Sequence, residues 1–148
     1  MPIIISLTNL NRLHTFISVT LLSPRAMLIN ATLKSFVPTV KPKEAKVFYS
    51  DILGLELLSE DDYALEFNAN GTLFRVIIVP ELTPHPFTTI GWNVQNIKAV
   101  INTLNSKGVF CENYDFMPQD ELGIWTSPNG SKVAWFKDPD GNILSLTE

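Results

Sequence analysis

Few residues of this chain could do chemistry. Two histidines, His14 and His85, lie far apart in the sequence, and His85 stands between two prolines. The single cysteine, Cys111, has no histidine nearby, which favours a structural role over that of a nucleophile. Arg75 offers a planar fork of N–H donors that suits a carboxylate or a phosphate, although an ion pair with Glu66 explains it equally well. These residues do not form the clusters that metal or acid–base catalysis needs.

Two aspartates near the C-terminus, Asp138 and Asp140, form a possible carboxylate pair. Such a pair suits acid–base work, but these two flank a proline and precede Gly141. Aspartate side chains in turns accept hydrogen bonds from nearby backbone N–H groups. The pattern therefore predicts a structural turn, with Gly71 closing an equivalent turn earlier in the chain.

Composition narrows the class of protein. The formal net charge is −4, and the only basic cluster is Lys41, Lys43 and Lys46, which argues against nucleic acid as a partner. No apolar run approaches the ~20 residues of a membrane span, so no membrane association is expected. A lone cysteine is typical of a reducing compartment, and we predict a cytoplasmic protein.

Residues 1–26 stand apart from the rest of the sequence. They contain no acidic residue, and Met27 is followed directly by a strand-like run. We predict an N-terminal extension or arm over 1–26 and a single domain over 27–148, whose charge is 9 − 15 = −6. A secretory leader is the alternative, although Ser23-Pro24-Arg25-Ala26 makes a poor cleavage site.

The sequence of the domain contains an internal repeat. Residues 40–54 and 94–108 bracket helix-like segments of equal length, and residues 64–71 match 134–141 without a gap. The repeat predicts two tandem βαβββ units, 27–79 and 88–148, joined by a proline-rich linker over 80–87. Apolar periodicity predicts helices over 41–53 and 95–107, and strands over 33–40, 55–59, 63–67, 73–79, 88–94, 109–112, 123–126, 132–136 and 143–147. The irregular segment 113–121 carries Tyr114, Phe116 and Met117, so it forms either a mouth or lid or an ordinary loop.

Two motifs resemble one known family. Phe48-Tyr49-Ser50-Asp51-Ile52-Leu53-Gly54-Leu55 resembles the FY…LGL segment of the vicinal oxygen chelate superfamily, and Phe136-Lys137-Asp138-Pro139-Asp140-Gly141-Asn142 resembles its F-x-D-P-D-G-N hairpin. The superfamily includes glyoxalase I, bleomycin resistance proteins and extradiol dioxygenases. The resemblance implies an α+β fold in which two βαβββ units form an open, curled mixed sheet around a cleft. It also implies a homodimer.

The resemblance also identifies where a metal would bind. In metal-using members four ligands come from the first and last strands of the two units. Those positions carry Ser35 and Arg75 in the first unit, and Thr89 and Ser145 in the second. None of them is a good ligand for a divalent transition metal, and Arg75 would bring a positive charge to the cation site. We therefore predict neither a metal nor any other cofactor.

Strand alternation predicts what lines the cleft instead, because successive side chains point to opposite faces of a sheet. Alternation, the repeat and the resemblance together give a predicted set of hydroxyl, apolar and aromatic side chains with one cation. The set is Ser35, Val37, Thr39, Tyr63, Leu65, Arg75, Ile77, Thr89, Asn93, Val133, Trp135, Ser145 and Thr147. Trp125, beside the irregular segment, either lines the rim or packs in the core.

This set favours a metal-free binding protein that holds a small aromatic or anionic ligand. The alternative is an enzyme of the same superfamily, a lyase, isomerase or dioxygenase. It would be metal-free with Arg75 stabilising an oxyanion or, against the ligand chemistry, metal-dependent. The predicted cleft has no evident general base, which weakens that alternative.

Overall fold

The computed structural model describes residues 27–148. By its contacts the chain divides into Met1–Ala31 and Thr32–Glu148, and every described helix and strand lies in the second part. The predicted extension over 1–26, including His14, lies outside the described residues. None of the helices in residues 27–148 has the length and apolarity needed to cross a membrane.

The first unit forms a four-stranded mixed sheet with one helix. Its elements are β1 (Lys34–Thr39), α1 (Pro42–Val47), a π-helix (Phe48–Ile52), β2 (Glu56–Glu60), β3 (Ala64–Ala69) and β4 (Thr72–Ile78). The strand order is β1-β4-β3-β2, with β1 parallel to β4 and the other pairs antiparallel.

The second unit repeats this topology. Its elements are β5 (Thr88–Asn93), α2 (Ile97–Ser106), β6 (Trp125–Thr126), β7 (Lys132–Lys137) and β8 (Ile143–Thr147). The strand order is β5-β8-β7-β6, with β5 parallel to β8. Two curled, unclosed four-stranded mixed sheets confirm the predicted fold class.

Local sequence explains the ends of the elements. Pro42 begins α1, where a missing N–H costs nothing, and the side chain of Asn96 accepts the N–H of Ala99 (2.9 Å) to cap α2. Asn70 and Gly71 form the two-residue turn between β3 and β4 with φ of 50° and 85°, as a tight hairpin requires.

Two predictions of secondary structure are wrong in detail. Residues 109–112 form no strand, because their contact with β7 is reduced to one ladder-like bond, from Glu112 N–H to the carbonyl of Trp135 (2.7 Å). The first predicted helix ends in the π-helical turn Phe48–Ile52 rather than continuing as α-helix.

Both sheets bury one face under the helices, and these buried faces share a single core. Phe74 of β4 contacts Trp92 of β5 (6.4 Å between ring centroids), and Phe48 contacts Phe136 of β7 (6.5 Å). We call this side the helix-packed face. The opposite side of each sheet is its open face, which is where the resemblance places the ligand cleft.

Candidate functional site

Strand register decides which predicted residues reach the open faces. In the first sheet Ser35 pairs with Phe74 and Val37 with Val76, and both partners are fully buried core residues. Ser35, Val37 and Thr39 therefore lie on the helix-packed face. The prediction that they share a face with Arg75 is wrong, because Arg75 pairs with Phe36.

The same correction applies to Leu65, which pairs with Val76 and is fully buried. It was placed in the cleft because residues 64–71 and 134–141 match without a gap. The ladders show otherwise, since Phe67 pairs with Phe74 whereas Phe136 pairs with Leu144. Between the paired core residues, the second hairpin has one residue more than the first. On the strand before the turn, the equivalent residues are therefore one position away from those of the ungapped match. Tyr63, just before β3, is 77% exposed.

The open face of the first sheet is built around an ion pair. Arg75 Nε lies 2.9 Å from Glu66 Oε1, and their side chains are 30% and 29% exposed. The Nε–H does not point at a hydrogen-bond acceptor, so the attraction is ionic rather than a shaped hydrogen bond. Glu66 also accepts a hydrogen bond from Ser59 (3.0 Å). Ile77 and half-exposed Phe36 lie on the same face.

The open face of the second sheet brings together four predicted residues. Trp135 pairs with Ser145, and Val133 with Thr147, and all four alternate with the core residues of β7 and β8. Ser145 also pairs with Gly91, where an added Cβ would collide with Ser145 Oγ.

Two other predicted residues lie at the margins of this sheet. Thr89 is exposed in a bulge between Thr88 and Ile90, so strand alternation does not define its direction. Asn93, the last residue of β5, pairs with Thr147, so the register places it on the open face, and it also borders a groove on the helix-packed side.

An aromatic cluster lies on the open face of the second sheet. We define it as Tyr114, Phe116, Trp125 and Trp135. The ring of Trp135 lies 5.7 Å from Tyr114 and 6.4 Å from Trp125, and Tyr114 lies 5.5 Å from Phe116, which is 78% exposed. The Trp135 indole N–H donates to Thr88 Oγ1 (3.1 Å), which fixes its ring. Of these four, only Trp135 belongs to the predicted set, through the resemblance. The irregular segment 113–121 is the sequence signal for Tyr114 and Phe116, and Trp125 lies beside that segment.

One side chain organises the loop that carries Tyr114 and Phe116. Gln119 accepts the N–H of Tyr114 (2.7 Å) and donates to the carbonyls of Glu112 (3.0 Å) and Gly123 (2.7 Å). This loop is therefore shaped before any ligand arrives.

The electrostatics of the cluster keep its hydroxyl neutral. Burial raises the pKa of Tyr114, the charge of Glu112 raises it further, and Lys137 opposes both. Lys137 in turn donates to Glu112 (2.8 Å). Tyr114 can thus offer a protonated hydroxyl at the edge of the aromatic surface.

The carboxylate pair Asp138 and Asp140 holds the second hairpin turn, which we define as residues 138–142. Asp138 accepts the backbone N–H groups of Asp140 (3.0 Å) and Asn142 (2.9 Å). It also accepts the hydroxyl of Tyr49 (2.8 Å), and Asp140 accepts that of Thr39 (2.5 Å). The pair therefore joins the two units rather than facing a substrate.

The donor chemistry does not fit the metal that the resemblance implies. On the first and last strands of each unit, where the resemblance places the metal ligands, the pairs that face the open side are Phe36 with Arg75 and Gly91 with Ser145. Within residues 27–148, no three His, Cys, Asp or Glu side chains lie close enough together to hold a metal ion.

Solved structures share this fold. A member of the glyoxalase/bleomycin resistance protein/dioxygenase superfamily from Sphaerobacter thermophilus is 21% identical with a TM-score of 0.63, covering 82% of this chain and 99% of its own. A lactoylglutathione lyase from Agrobacterium tumefaciens is 14% identical with a TM-score of 0.63 (80% and 93%). A glyoxalase family protein from Enterococcus faecalis is 22% identical with a TM-score of 0.56 (79% and 94%). No protein-family model and no curated protein matches the sequence. The likeness confirms the resemblance at the level of fold: this chain has the fold of the glyoxalase/bleomycin resistance/dioxygenase superfamily.

Proposed function

We propose that this chain is a metal-free binding protein that holds a small, planar aromatic molecule in the cleft bounded by its open faces. The aromatic cluster is the observation that supports this most directly. The ring of Trp135 is held by its bond to Thr88, and the backbone of Tyr114 is held by its bond to Gln119. A planar ligand stacking on such rings gains about 0.5–1.5 kcal/mol per ring pair beyond its area of contact.

Charge favours a neutral or cationic ligand over an anionic one. Arg75, the cation expected to receive an anion, already faces Glu66 at 2.9 Å. The loop beside the aromatic cluster carries Asp115, Asp120 and Glu121. A positive group over an aromatic face is attracted by the ring, and nearby carboxylates add to that attraction.

The enzyme alternative would use Arg75 to stabilise an oxyanion. The ion pair with Glu66 disfavours it, because part of the positive field is already neutralised. Glu66 is not free to act as a general base, since one of its oxygens faces Arg75 and the other accepts a hydrogen bond from Ser59. Turnover of a bound ligand would revive this alternative.

The experiment is a fluorescence titration at neutral pH with three ligands that share one ring system: 2-naphthol, (2-naphthyl)methylammonium and 2-naphthoate. We expect saturable binding of the first two and weaker binding of the carboxylate. Trp135→Leu should weaken binding at least tenfold, whereas Phe110→Leu, at a 66% exposed site outside the cluster, should leave it unchanged. Equal binding to wild type and Trp135→Leu would overturn the proposed site.

Metal content tests the other half of the proposal. Mass spectrometry on protein purified without chelators or a metal-affinity tag should give metal well below one equivalent per chain. Near-stoichiometric Zn, Ni, Fe or Mn would overturn the metal-free proposal and restore the lyase and dioxygenase alternatives.

A cytoplasmic homodimer remains our prediction for the assembled protein. The partly buried free thiol supports the compartment, and the exposed apolar side chains Phe36 and Leu58 support a second copy. Light scattering at micromolar concentration should give twice the chain mass of 16.6 kDa.

A further inference from the structure

A groove lies on the helix-packed side of the domain, away from both open faces. It runs between the end of the π-helix and α2, and it encloses about 400 Å³. Ile52 and Leu55 form one wall, Val100 of α2 forms the other, and Trp92 and Phe136 lie at its base. No part of the proposed aromatic site uses these residues.

One side chain links the two walls of the groove. Lys107, at the C-terminal end of α2, donates its ammonium to the carbonyls of Asp51 (2.8 Å) and Ile52 (3.0 Å). These carbonyls belong to the last residues of the π-helix, so Lys107 both caps that helix and ties it to α2. The base is the shared core, in which Phe136 and Leu146 are buried. The groove is therefore preformed.

The chemistry of the lining defines what could fill the groove. None of its lining residues is charged, and Asn93 and Thr103 are the polar ones. A charged molecule would lose its hydration here without gaining a partner. An apolar one would gain about 25 cal/mol for each Å² removed from water. The volume lies within the usual range of small-molecule pockets, about 300–1,000 Å³.

We propose that this groove is a second binding site, which takes an uncharged and largely apolar small molecule of the size of a medium-chain alcohol. It is independent of the aromatic site and of the function proposed for it. The bound molecule would contact Trp92 and Phe136 with its apolar part and reach Asn93 or Thr103 with its polar end.

Amide NMR of the full chain with 1-octanol as the probe tests this proposal. The probe has no ring and no charge, so it does not depend on the aromatic cluster. We expect saturable shifts confined to the amides around the groove, those of residues 52–55, 92–94 and 99–104. The absence of saturable shifts, or shifts that instead map to the open faces, would overturn the proposal.

Two matched variants sharpen the test. Ala99→Phe fills the groove from an exposed rim position, so it should weaken octanol binding at least tenfold while leaving the melting temperature within a few degrees. Asn102→Phe, exposed on the same helix but not lining the groove, should bind octanol like the wild type. Undiminished binding to Ala99→Phe would overturn the proposal. So would a change of oligomeric state in that variant, which would mark the groove as an interface between copies.

Discussion

Cys111 is half-buried in crowded surroundings. Its backbone neighbour in space is Gly123, where an added Cβ would stand only 2.8 Å from Cys111 Cβ. Burial, with a smaller contribution from the charges of Asp120 and Glu112, raises the pKa of the thiol to about 11. The thiol is therefore protonated at neutral pH, which agrees with the structural role that the sequence favours.

This environment predicts a slow thiol. At pH 8 the folded protein should react with a disulfide reagent about a hundredfold more slowly than the chain unfolded in guanidinium, because so little thiolate is present. The rate should rise as the pH approaches 11. Stopped-flow absorbance measures both, and equal rates for folded and unfolded protein at pH 8 would contradict the prediction.

Arg75 allows a second prediction at the scale of one residue. Because it and Glu66 are both partly exposed, their ion pair contributes at most about 1 kcal/mol. Arg75→Ala should therefore leave the melting temperature nearly unchanged, while weakening any anionic ligand and sparing 2-naphthol. A large fall in melting temperature without ligand, measured by calorimetry, would instead mark Arg75 as structural.

At the scale of elements, the second hairpin turn holds the first helix of the other unit. Burial, and then the charge of Asp138, raises the pKa of Tyr49 well above its ordinary range, so its hydroxyl is a permanent donor. Tyr49→Phe removes a donor from the buried carboxylate of Asp138 and should cost about 1–3 kcal/mol in urea unfolding. Tyr63→Phe is the exposed control and should cost almost nothing. If Tyr49→Phe lowers the free energy of unfolding no more than Tyr63→Phe does, the prediction is contradicted.

The helices and strands themselves were largely predictable. Which side chains of β1 face the core was not. Glycines and apolar periodicity located the helices and most strands, because those signals are local. In β1, however, polar Ser35 and Thr39 face the core while apolar Phe36 faces outward. Thr39 tolerates this because it donates to Asp140, a contact 101 residues away in the sequence. Such a partner is invisible to a rule that places apolar residues inside.

The candidate site was predictable only where its residues lie on regular strands. The second sheet alternates regularly, so Ser145 and Thr147, which alternation predicts, lie on one face with Val133 and Trp135, which the resemblance predicts. The aromatic cluster also draws on an irregular loop, and Gln119 shapes that loop through hydrogen bonds that no periodicity encodes. The sequence could identify the aromatic residues of this loop as candidates, but it could not predict the direction of their side chains.

At the scale of the whole molecule, the buried core extends from Val37 to Leu146. A chain begun at Met27 keeps every described helix and strand, so it should be soluble and should melt cooperatively within a few degrees of the full chain. Calorimetry of both chains makes the comparison. Aggregation of the shorter chain would show that residues 1–26 are needed for stability, contrary to our prediction that they form an extension.

The second hairpin turn also has a consequence for folding during synthesis on the ribosome. Its bonds to the first unit join residues far apart in the chain, 89 positions for Tyr49 and Asp138 and 104 for Pro38 and Asn142. Since the N-terminal part of a nascent chain emerges first, the first unit lacks these partners until residues 138–142 have been made. A message cut short before Asp138 would thus deprive the first helix of its anchor, although every residue of that helix had been translated.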